Sequence, residues 1–328
     1  MDPLQNEPRN DLPKEPNWER DILEKIALEG LAEQRRRRRW GIFFKLLGFG
    51  FLALILAVSV DWGDSADRLG DGKKHTALVQ INGVIQSKGD SSAENIISSL
   101  RSAFEDKATQ GVILRINSPG GSPVQSGIIN DEIRRLRGKH ANIPLYVVVE
   151  DICASGGYYI AAAADMIFVD KASIVGSIGV LMDGFGFTGT MEKMGVERRL
   201  LTAGANKGFL DPFSPQDARH RAHAQQMLGE IHQQFIDVVR QGRGKRLKET
   251  PEMFSGLMWT GARSIELGLA DGYGTVDSVA RDVVKTEDVL DYTVKQSFAE
   301  KFAKQFGADM AEGIANSFAK SLGYFRLR

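Results

Sequence analysis

The middle of the chain alternates short apolar runs with segments of helical spacing. Four apolar runs predict strands, at residues 77–81, 111–117, 144–150 and 166–169. Residues 91–106, 124–137 and 158–164 carry apolar side chains at the spacing of helices. Strands that alternate with helices are typical of parallel βαβ units. The pattern therefore predicts an α/β fold with a mostly parallel sheet.

Two small-residue turns follow predicted strands, where such folds place their sites. Residues 117–123 (NSPGGSP) predict a tight turn whose N–H groups can face a cleft. The alternative is that this turn is an ordinary connection between a strand and a helix. Residues 152–159 (ICASGGYY) place Ser155 at the start of a predicted helix. Ser155 is there either an N-cap or a nucleophile whose oxyanion meets backbone N–H groups. Neither turn has the pattern of a P-loop or of a dinucleotide-binding loop.

A nucleophilic serine needs a base, and Lys207 is a better candidate than any histidine. It follows a strand-like stretch at 196–201, in a loop of small residues without a neighbouring acid. A lysine acts as a base only when neutral, so we expect burial to lower its pKa from about 10.4. The alternative is a solvated loop lysine. His220 and His223 are predicted to be solvated, since a zinc ion would need further ligands.

A long apolar run near the N-terminus predicts a membrane span. Residues 40–60 carry one charge, on Lys45, and about 20 apolar residues suffice to cross a bilayer. A buried helix of a soluble protein is the alternative. Five arginines at 35–39 precede the run, so residues 1–39 are expected in the cytoplasm and the main domain outside it. The length of this leader favours a retained anchor over a cleaved signal.

Composition narrows the choice of function. The 42 basic and 42 acidic residues balance, which argues against a general nucleic-acid-binding surface. Cys153 is the only cysteine, so the chain can form neither an intramolecular disulfide nor a cysteine metal cluster. The five histidines show no convincing metal spacing. We therefore expect no metal and no other cofactor.

Helices predominate towards the C-terminus. Residues 215–240 have an apolar stripe that is typical of a core or a subunit interface. Residues 252–275 predict shorter helices and turns. Residues 297–325 predict an amphipathic tail, in which aromatic side chains recur about every four residues beside basic ones. Such a tail contacts a membrane, a partner or its own domain.

Four motifs, taken together, resemble the signal peptide peptidase A family. They follow the order of that family and comprise residues 117–122 (NSPGGS), 154–160 (ASGGYYI), 176–180 (GSIGV) and 203–207 (AGANK). Residues 259–263 (WTGAR) and 268–272 (GLADG) resemble a further stretch of the family. The resemblance covers about 76–279 without a second copy of the motifs, as in the short, single-domain form. Cys153 and Asn206 depart from the commoner family pattern without altering a catalytic group.

The resemblance implies a serine peptidase with a Clp-protease/crotonase-like fold of repeated ββα and βαβ units, added helices and one preceding transmembrane helix. Ser155 would attack the scissile carbonyl, and Lys207 would take its proton, protonate the leaving amine and activate the deacylating water. The N–H groups of Gly121 and Gly156 would form the oxyanion hole. Apolar side chains suited to substrate pockets follow in the GSIGV motif and beside it: Ile178, Val180 and Leu181.

The resemblance also implies partners and a location. The substrates would be remnant signal peptides and other unfolded hydrophobic peptides, bound as an added strand at the membrane. Family members form rings or domes, so we expect a homo-oligomer whose dyads come either from one chain or from adjacent protomers. The catalytic domain would lie on the extracytoplasmic side of a bacterial inner membrane. The expected division is a cytoplasmic tail at 1–39, an anchor at 40–60, a linker at 61–75, a peptidase domain at 76–283 and an amphipathic extension at 284–328.

Two other functions stay open. A catalytically silent ClpP-class scaffold at the membrane would share the fold and the anchor. A crotonase-fold acyl-CoA enzyme would share the glycine oxyanion donors, but it would need nucleotide recognition and has no reason for an exported anchor.

Overall fold

A computed structural model of the chain describes residues 18–59 and 72–294, which fall into two compact units. Of the described residues, 18–59 belong to the first unit and 72–294 to the second. The helices are α1 (Trp18–Ser59), α2 (Ala93–Glu105), α3 (Pro123–Lys139), α4 (Gly156–Ala161), α5 (Thr188–Lys193), α6 (Ala218–Arg243), α7 (Gly261–Glu266) and α8 (Val276–Val279), with a 3-10 turn at Gly244–Arg246 and a π turn at Ala280–Val284. The strands are β1 (His75–Asn82), β2 (Thr109–Ser118), β3 (Leu145–Ala154), β4 (Met166–Val169), β5 (Ile174–Gly176), β6 (Met258–Thr260), β7 (Gly272–Tyr273) and β8 (Val289–Asp291).

The first unit is described only through α1. This helix contains residues 40–59 of the predicted membrane span, and its side chains from residue 33 to residue 51 are exposed. Val60 and the side chains of residues 52–59 lie outside the described part of the chain, as does the predicted tail at 297–325. Within the residues that are described, no helix is both long enough and apolar enough to cross a bilayer.

The second unit is built on one eight-stranded sheet. Its strand order is β6–β5–β3–β2–β1–β8, and β4 pairs with β3 and with β7. Every pairing in the described sheet is parallel except that of β5 with β6. The predicted α/β fold with a mostly parallel sheet is confirmed.

The central strands are continuous apolar runs because both faces of the sheet are covered. Val112 and Leu114 of β2 belong to the larger core, which α2, α3 and α4 share. Ile113 points to the opposite face, where it joins Val148 and Phe168 in a second core with α8 and the π turn. Since successive side chains of a strand alternate between faces, each of β1 to β4 contributes to both cores.

The strand predictions need two corrections. β3 runs past its predicted end at residue 150 to Ala154, because its last residues pair with β5. This extension carries the chain directly to Ser155. The prediction of a strand-like stretch at 196–201 is wrong: these residues form no strand, and Leu201 is 96% exposed. No strand within the described sheet pairs with these residues, so their backbone groups form no strand-to-strand hydrogen bonds.

The edge strand β8 lies within residues 284–328, which the sequence assigned to the extension. It pairs in parallel with β1, with Thr76 opposite Val289. The Tyr292 N–H continues the ladder by donating to the carbonyl oxygen of Leu78 at 2.8 Å. The Tyr292 hydroxyl donates to the carboxylate of Asp106 at 2.6 Å, which joins the residue after β8 to the C-cap of α2.

Candidate active site

Ser155 occupies a sharp turn between β3 and α4. Its backbone N–H donates to the carbonyl oxygen of Gly176 in β5 at 2.8 Å, so the turn is fastened to the sheet. Its φ is +51° and its ψ is −122°, a conformation that non-glycine residues rarely adopt. The side chain makes no capping hydrogen bond to α4, although Ser155 precedes the helix. The structure therefore does not support the capping alternative, and such strained backbone is often found at functional sites.

The glycine turn after β2 lies directly against Ser155. A Cβ atom on Gly120 would come within 2.7 Å of both the Gly156 nitrogen and the Ser155 Cβ, so only glycine fits here. Ile85 fixes the turn from the other side: its N–H donates to the carbonyl oxygen of Gly120 at 2.9 Å, and its carbonyl accepts from Ser122 at 2.8 Å. The two small-residue turns of the sequence thus meet at one place.

Gly121 and Gly156 are neighbours in this arrangement. The Gly121 nitrogen lies 3.3 Å from the position that a Cβ atom on Gly156 would occupy. Among the described residues, neither the Gly121 N–H nor the Gly156 N–H has a hydrogen-bond acceptor. Two unpaired N–H groups beside a serine are what a developing oxyanion requires.

Buried contacts brace α4 beneath the serine. The hydroxyl of Tyr158 donates to the carbonyl oxygen of Leu269 at 2.8 Å, and burial raises the pKa of this phenol above its ordinary value. The side-chain amide of Asn130 in α3 donates to the carbonyl oxygen of Tyr159 at 2.7 Å. These contacts hold the start of α4, and with it Ser155, in one orientation.

Lys207 lies in the loop between α5 and α6, and its side chain is exposed. Its backbone N–H donates to the carbonyl oxygen of Gly204 at 3.1 Å. Its ammonium group forms no hydrogen bond or ion pair with any described residue, Ser155 included. The described residues of one chain therefore do not bury the lysine or join it to the serine.

The three predicted pocket residues differ in their exposure. The Ile178 side chain is fully buried in the larger core, and its carbonyl oxygen accepts a hydrogen bond from His232 at 3.2 Å. Val180 is half-buried, whereas Leu181 is 82% exposed. Their role in substrate binding stays a prediction.

Leu181 belongs to a set of exposed apolar side chains in the stretch from 180 to 213 that also contains Lys207. The set comprises Leu181, Met182, Phe185, Phe187, Met194, Val196, Leu200, Leu201 and Phe213. Where such side chains form a contiguous patch, the patch marks an interaction site more often than a free surface.

His220 is a residue whose position the sequence did not indicate. Its Nε2 is 3.2 Å from the side-chain oxygen of Asn206, the residue before Lys207, and its ring packs against Phe209. His223 also contacts the Phe209 ring. The sequence predicts both histidines to be solvated; His223 is exposed and His220 is partly exposed. The contact of His220 with Asn206 was not predicted, because residues 14 positions apart share no pattern that indicates contact. The structure makes α6 the element that holds the lysine loop.

Comparison with known proteins gives the family. The profile of Peptidase family S49 matches residues 137–290, which include Ser155, Gly156 and Lys207. The chain is 31% identical over 233 residues to a putative signal peptide peptidase SppA of Enterococcus faecium, a match that covers 69% of this chain and 67% of that protein. It is 31% identical over 201 residues to the probable protease SohB of Haemophilus influenzae, covering 61% of this chain and 56% of that protein. The chain belongs to the signal peptide peptidase A family of serine peptidases.

A further relative differs in its name. The chain is 46% identical over 209 residues to the Na(+)/H(+) antiporter NhaA of Brucella melitensis, a match that covers 62% of this chain. The chain spans only 28% of the length of that protein. The transport activity in the name of that protein is therefore not assigned to this chain.

Proposed function

We propose that the chain is a membrane-anchored serine endopeptidase that uses a Ser155–Lys207 dyad. The observation that carries the proposal is the meeting of a strained, uncapped serine with the unpaired N–H groups of Gly121 and Gly156. This arrangement suits acyl transfer, since unpaired N–H donors beside a nucleophile can stabilise the negative charge that develops on a carbonyl oxygen. A core of the Clp-protease/crotonase type, which the family resemblance implies, agrees with the parallel sheet.

In the proposed reaction, the Ser155 hydroxyl attacks the scissile carbonyl while a neutral Lys207 takes its proton. The Gly121 and Gly156 N–H groups stabilise the oxyanion. The lysine then gives its proton to the leaving amine, and the acyl-enzyme forms. The same lysine then takes a proton from a water molecule, whose oxygen attacks the ester carbonyl. The lysine gives this proton to the departing Ser155 oxygen, which frees the acid product and restores the hydroxyl.

We further propose that a second copy of the chain completes the dyad. Lys207 is exposed and lies in a stretch with many exposed apolar side chains, Leu181 and Leu201 among them. A protomer that covers this surface would remove Lys207 from water, which favours the neutral form of the lysine. Assembly would then be a condition of activity.

The proposed substrates are remnant signal peptides and other unfolded hydrophobic peptides at the extracytoplasmic face of the inner membrane. Support for this location comes from the basic block at 35–39 and the apolar run at 40–60. The exposed Leu181 and half-buried Val180 would offer apolar contacts to such peptides.

Labelling with a fluorophosphonate probe tests the nucleophile and its base. We expect the full chain to be labelled at Ser155, and labelling to be lost in Ser155→Ala and in Lys207→Ala. Replacement of Ser102, an exposed serine on α2, should leave labelling intact. An assembled, folded wild-type protein that resists the probe would contradict the peptidase proposal and favour the silent scaffold.

Mixing two inactive variants tests the second protomer. Ser155→Ala and Lys207→Ala chains are unfolded, mixed and refolded together. If dyads form between protomers, sites that combine an intact serine with an intact lysine recover part of the peptide hydrolysis. A mixture as inactive as its components, at an oligomeric state equal to that of the wild type, would assign both residues to one chain.

Protease treatment of spheroplasts tests the membrane topology. The proposal expects external protease to digest the catalytic domain and to spare a short fragment that contains residues 1–39. A catalytic domain protected until the membrane is lysed would refute this orientation.

A further inference from the structure

A cavity of about 560 Å³ lies beyond the C-terminal end of α4, the helix that begins next to Ser155. Its walls come from α3, from residues 162–165 and from the end of α6 with the 3-10 turn that follows. The charged residues that line it are three arginines and one acid: Arg134, Arg137, Arg246 and Asp165. The balance of these charges indicates what the cavity can hold.

The single acid is already paired. The guanidinium of Arg137 binds both carboxylate oxygens of Asp165, with its Nε 3.2 Å from Oδ2. The N–H of Leu145 donates to the same Oδ2 at 2.9 Å. Asp165 and Arg137 therefore cancel each other, and Asp165 has little capacity left to balance another cation.

Arg246 shares its only carboxylate partner among the described residues, Asp271, with a second arginine. It donates to the carbonyl oxygens of Asp165 at 2.6 Å and of Gly242 at 2.7 Å, which are neutral groups. Its Nη1 also donates to the Oδ1 of Asp271 at 3.3 Å. However, the buried Arg243 already binds both oxygens of that carboxylate at 2.8 Å.

Arg134 forms fewer hydrogen bonds than Arg246. Its Nε donates to the side-chain oxygen of Asn130 at 2.9 Å, and its Nη2 is 3.5 Å from the carbonyl oxygen of Val238. It forms no ion pair with a described residue, and its Nη1 has no acceptor among them. Since Arg243 and Arg246 share one carboxylate, they carry one excess positive charge, and Arg134 adds a second. The spare donors on this concave surface are Nη1 of Arg134 and one N–H of Nη2 of Arg246.

We propose that this cavity binds a phosphate group, either free or as the monoester of a small molecule or of a lipid headgroup. Two guanidinium groups match the charge and the donor geometry of a dianionic oxyanion. The volume accommodates a phosphate with a small organic substituent. This site is separate from Ser155 and does not depend on the proposed peptidase activity.

Titration calorimetry with inorganic phosphate at constant ionic strength tests the site in the full-length protein. We expect saturable binding with one site per chain. Arg134→Gln should weaken the affinity by at least about tenfold, since it removes a charge-assisted contact. Arg134→Lys keeps the charge but lacks the planar guanidinium. Its affinity for phosphate should lie between those of the wild type and Arg134→Gln. Arg135→Gln is the matched control, because the next arginine of α3 binds Glu132 instead.

Two further probes distinguish the source of the phosphate. Glycerol 3-phosphate represents soluble esters, and vesicles of phosphatidylcholine with phosphatidic acid represent lipid headgroups. Because the basic block of α1 attracts anionic vesicles by itself, the readout is the difference between wild type and Arg134→Gln. Tighter binding of the soluble ester assigns a small-molecule ligand, and Arg134-dependent vesicle binding assigns a lipid. The proposal is overturned if the wild type binds none of the probes saturably, or if a folded Arg134→Gln protein binds them as tightly as the wild type.

Discussion

Ser155 holds a backbone conformation that glycine would adopt more readily. Its φ of +51° is imposed by the ladder of β3 with β5 and by the start of α4. A non-glycine residue in such a conformation costs on the order of 1–3 kcal/mol. The protein therefore carries strain at the position of its proposed nucleophile.

This strain predicts an unequal effect of two inactivating changes. We expect Ser155→Gly to unfold at a higher urea concentration than Ser155→Ala, by about 1 kcal/mol in the free energy of unfolding, because glycine accepts a positive φ without penalty. Both variants lack the hydroxyl and should be inactive. Equal stability of the two would show that the surrounding structure does not strain this backbone.

The contact of His220 with Asn206 predicts a positioning role for the histidine. His220→Leu should lower kcat by about tenfold with little change in KM, since it loosens the loop of the proposed base, Lys207, without touching the substrate. His220→Gln can still donate to the Asn206 oxygen and should recover most of the rate. The control is His223→Leu, which alters the same face of α6 and the Phe209 contact without removing that hydrogen bond. Equal losses in both leucine variants would reduce the role of His220 to general packing.

At the scale of elements, α2 and α3 are joined through Glu132. Its carboxylate accepts from Arg135 in α3 at 2.8 Å and from Arg101 in α2 at 2.7 Å, and it is nearly buried. The hydrogen bonds from Arg135, aided by Arg101 and opposed by burial, lower the pKa of Glu132 from 4.5 to about 2. A lowered pKa stabilises the fold above pH 4.5, and this contribution is lost as the pH falls towards 2.

This linkage predicts a difference between wild type and Glu132→Gln in acid. Between about pH 6 and about pH 3, we expect the wild type to lose more unfolding free energy than the variant, which has no carboxylate to protonate there. Urea unfolding at both pH values measures the difference. Glu94→Gln, on the exposed side of α2, should follow the wild-type pH profile. Parallel pH profiles for Glu132→Gln and the wild type would contradict the assigned pKa.

Elements made by local patterns could be predicted from the sequence, and those that depend on distant partners could not. Runs such as 111–117 predict buried strands because apolar residues on both faces need covering, and β2 confirms this. The meeting of Gly121 with Ser155 followed from motifs that lie at the ends of parallel strands. The stretch 196–201 has the composition of a strand, but a strand also needs a neighbour, which composition does not reveal. Likewise, nothing in the order of residues indicated that Arg243 would be buried.

At the scale of the whole molecule, the Arg243–Asp271 pair ties the end of α6 to the sheet. Arg243 is 1% exposed, and both of its terminal nitrogens are 2.8 Å from Asp271. The same carboxylate accepts from the N–H of Ile167 in β4 at 2.7 Å. This gives a structural reason for the aspartate of the GLADG motif.

Breaking this pair should be costly, because it leaves a buried charge without its partner. We expect Asp271→Asn to lower the free energy of unfolding by about 3–5 kcal/mol. The exposed pair of Arg281 with Asp282 provides the comparison, and Asp282→Asn should cost at most about 1 kcal/mol. Denaturant unfolding of both variants measures the two losses of unfolding free energy. Similar losses would mean that burial does not make the Arg243–Asp271 pair more costly to break than an exposed pair.

The pairing of the first strand with the last also bears on how the domain is made. During synthesis β1 leaves the ribosome early, yet β8, which covers its free edge, follows about 200 residues later. At typical elongation rates this interval is on the order of 10–40 s. For that time the nascent chain presents an open strand edge to other chains, which is a common starting point for aggregation. Ribosomes that stop before codon 289 would therefore release chains in which this edge of β1 stays open.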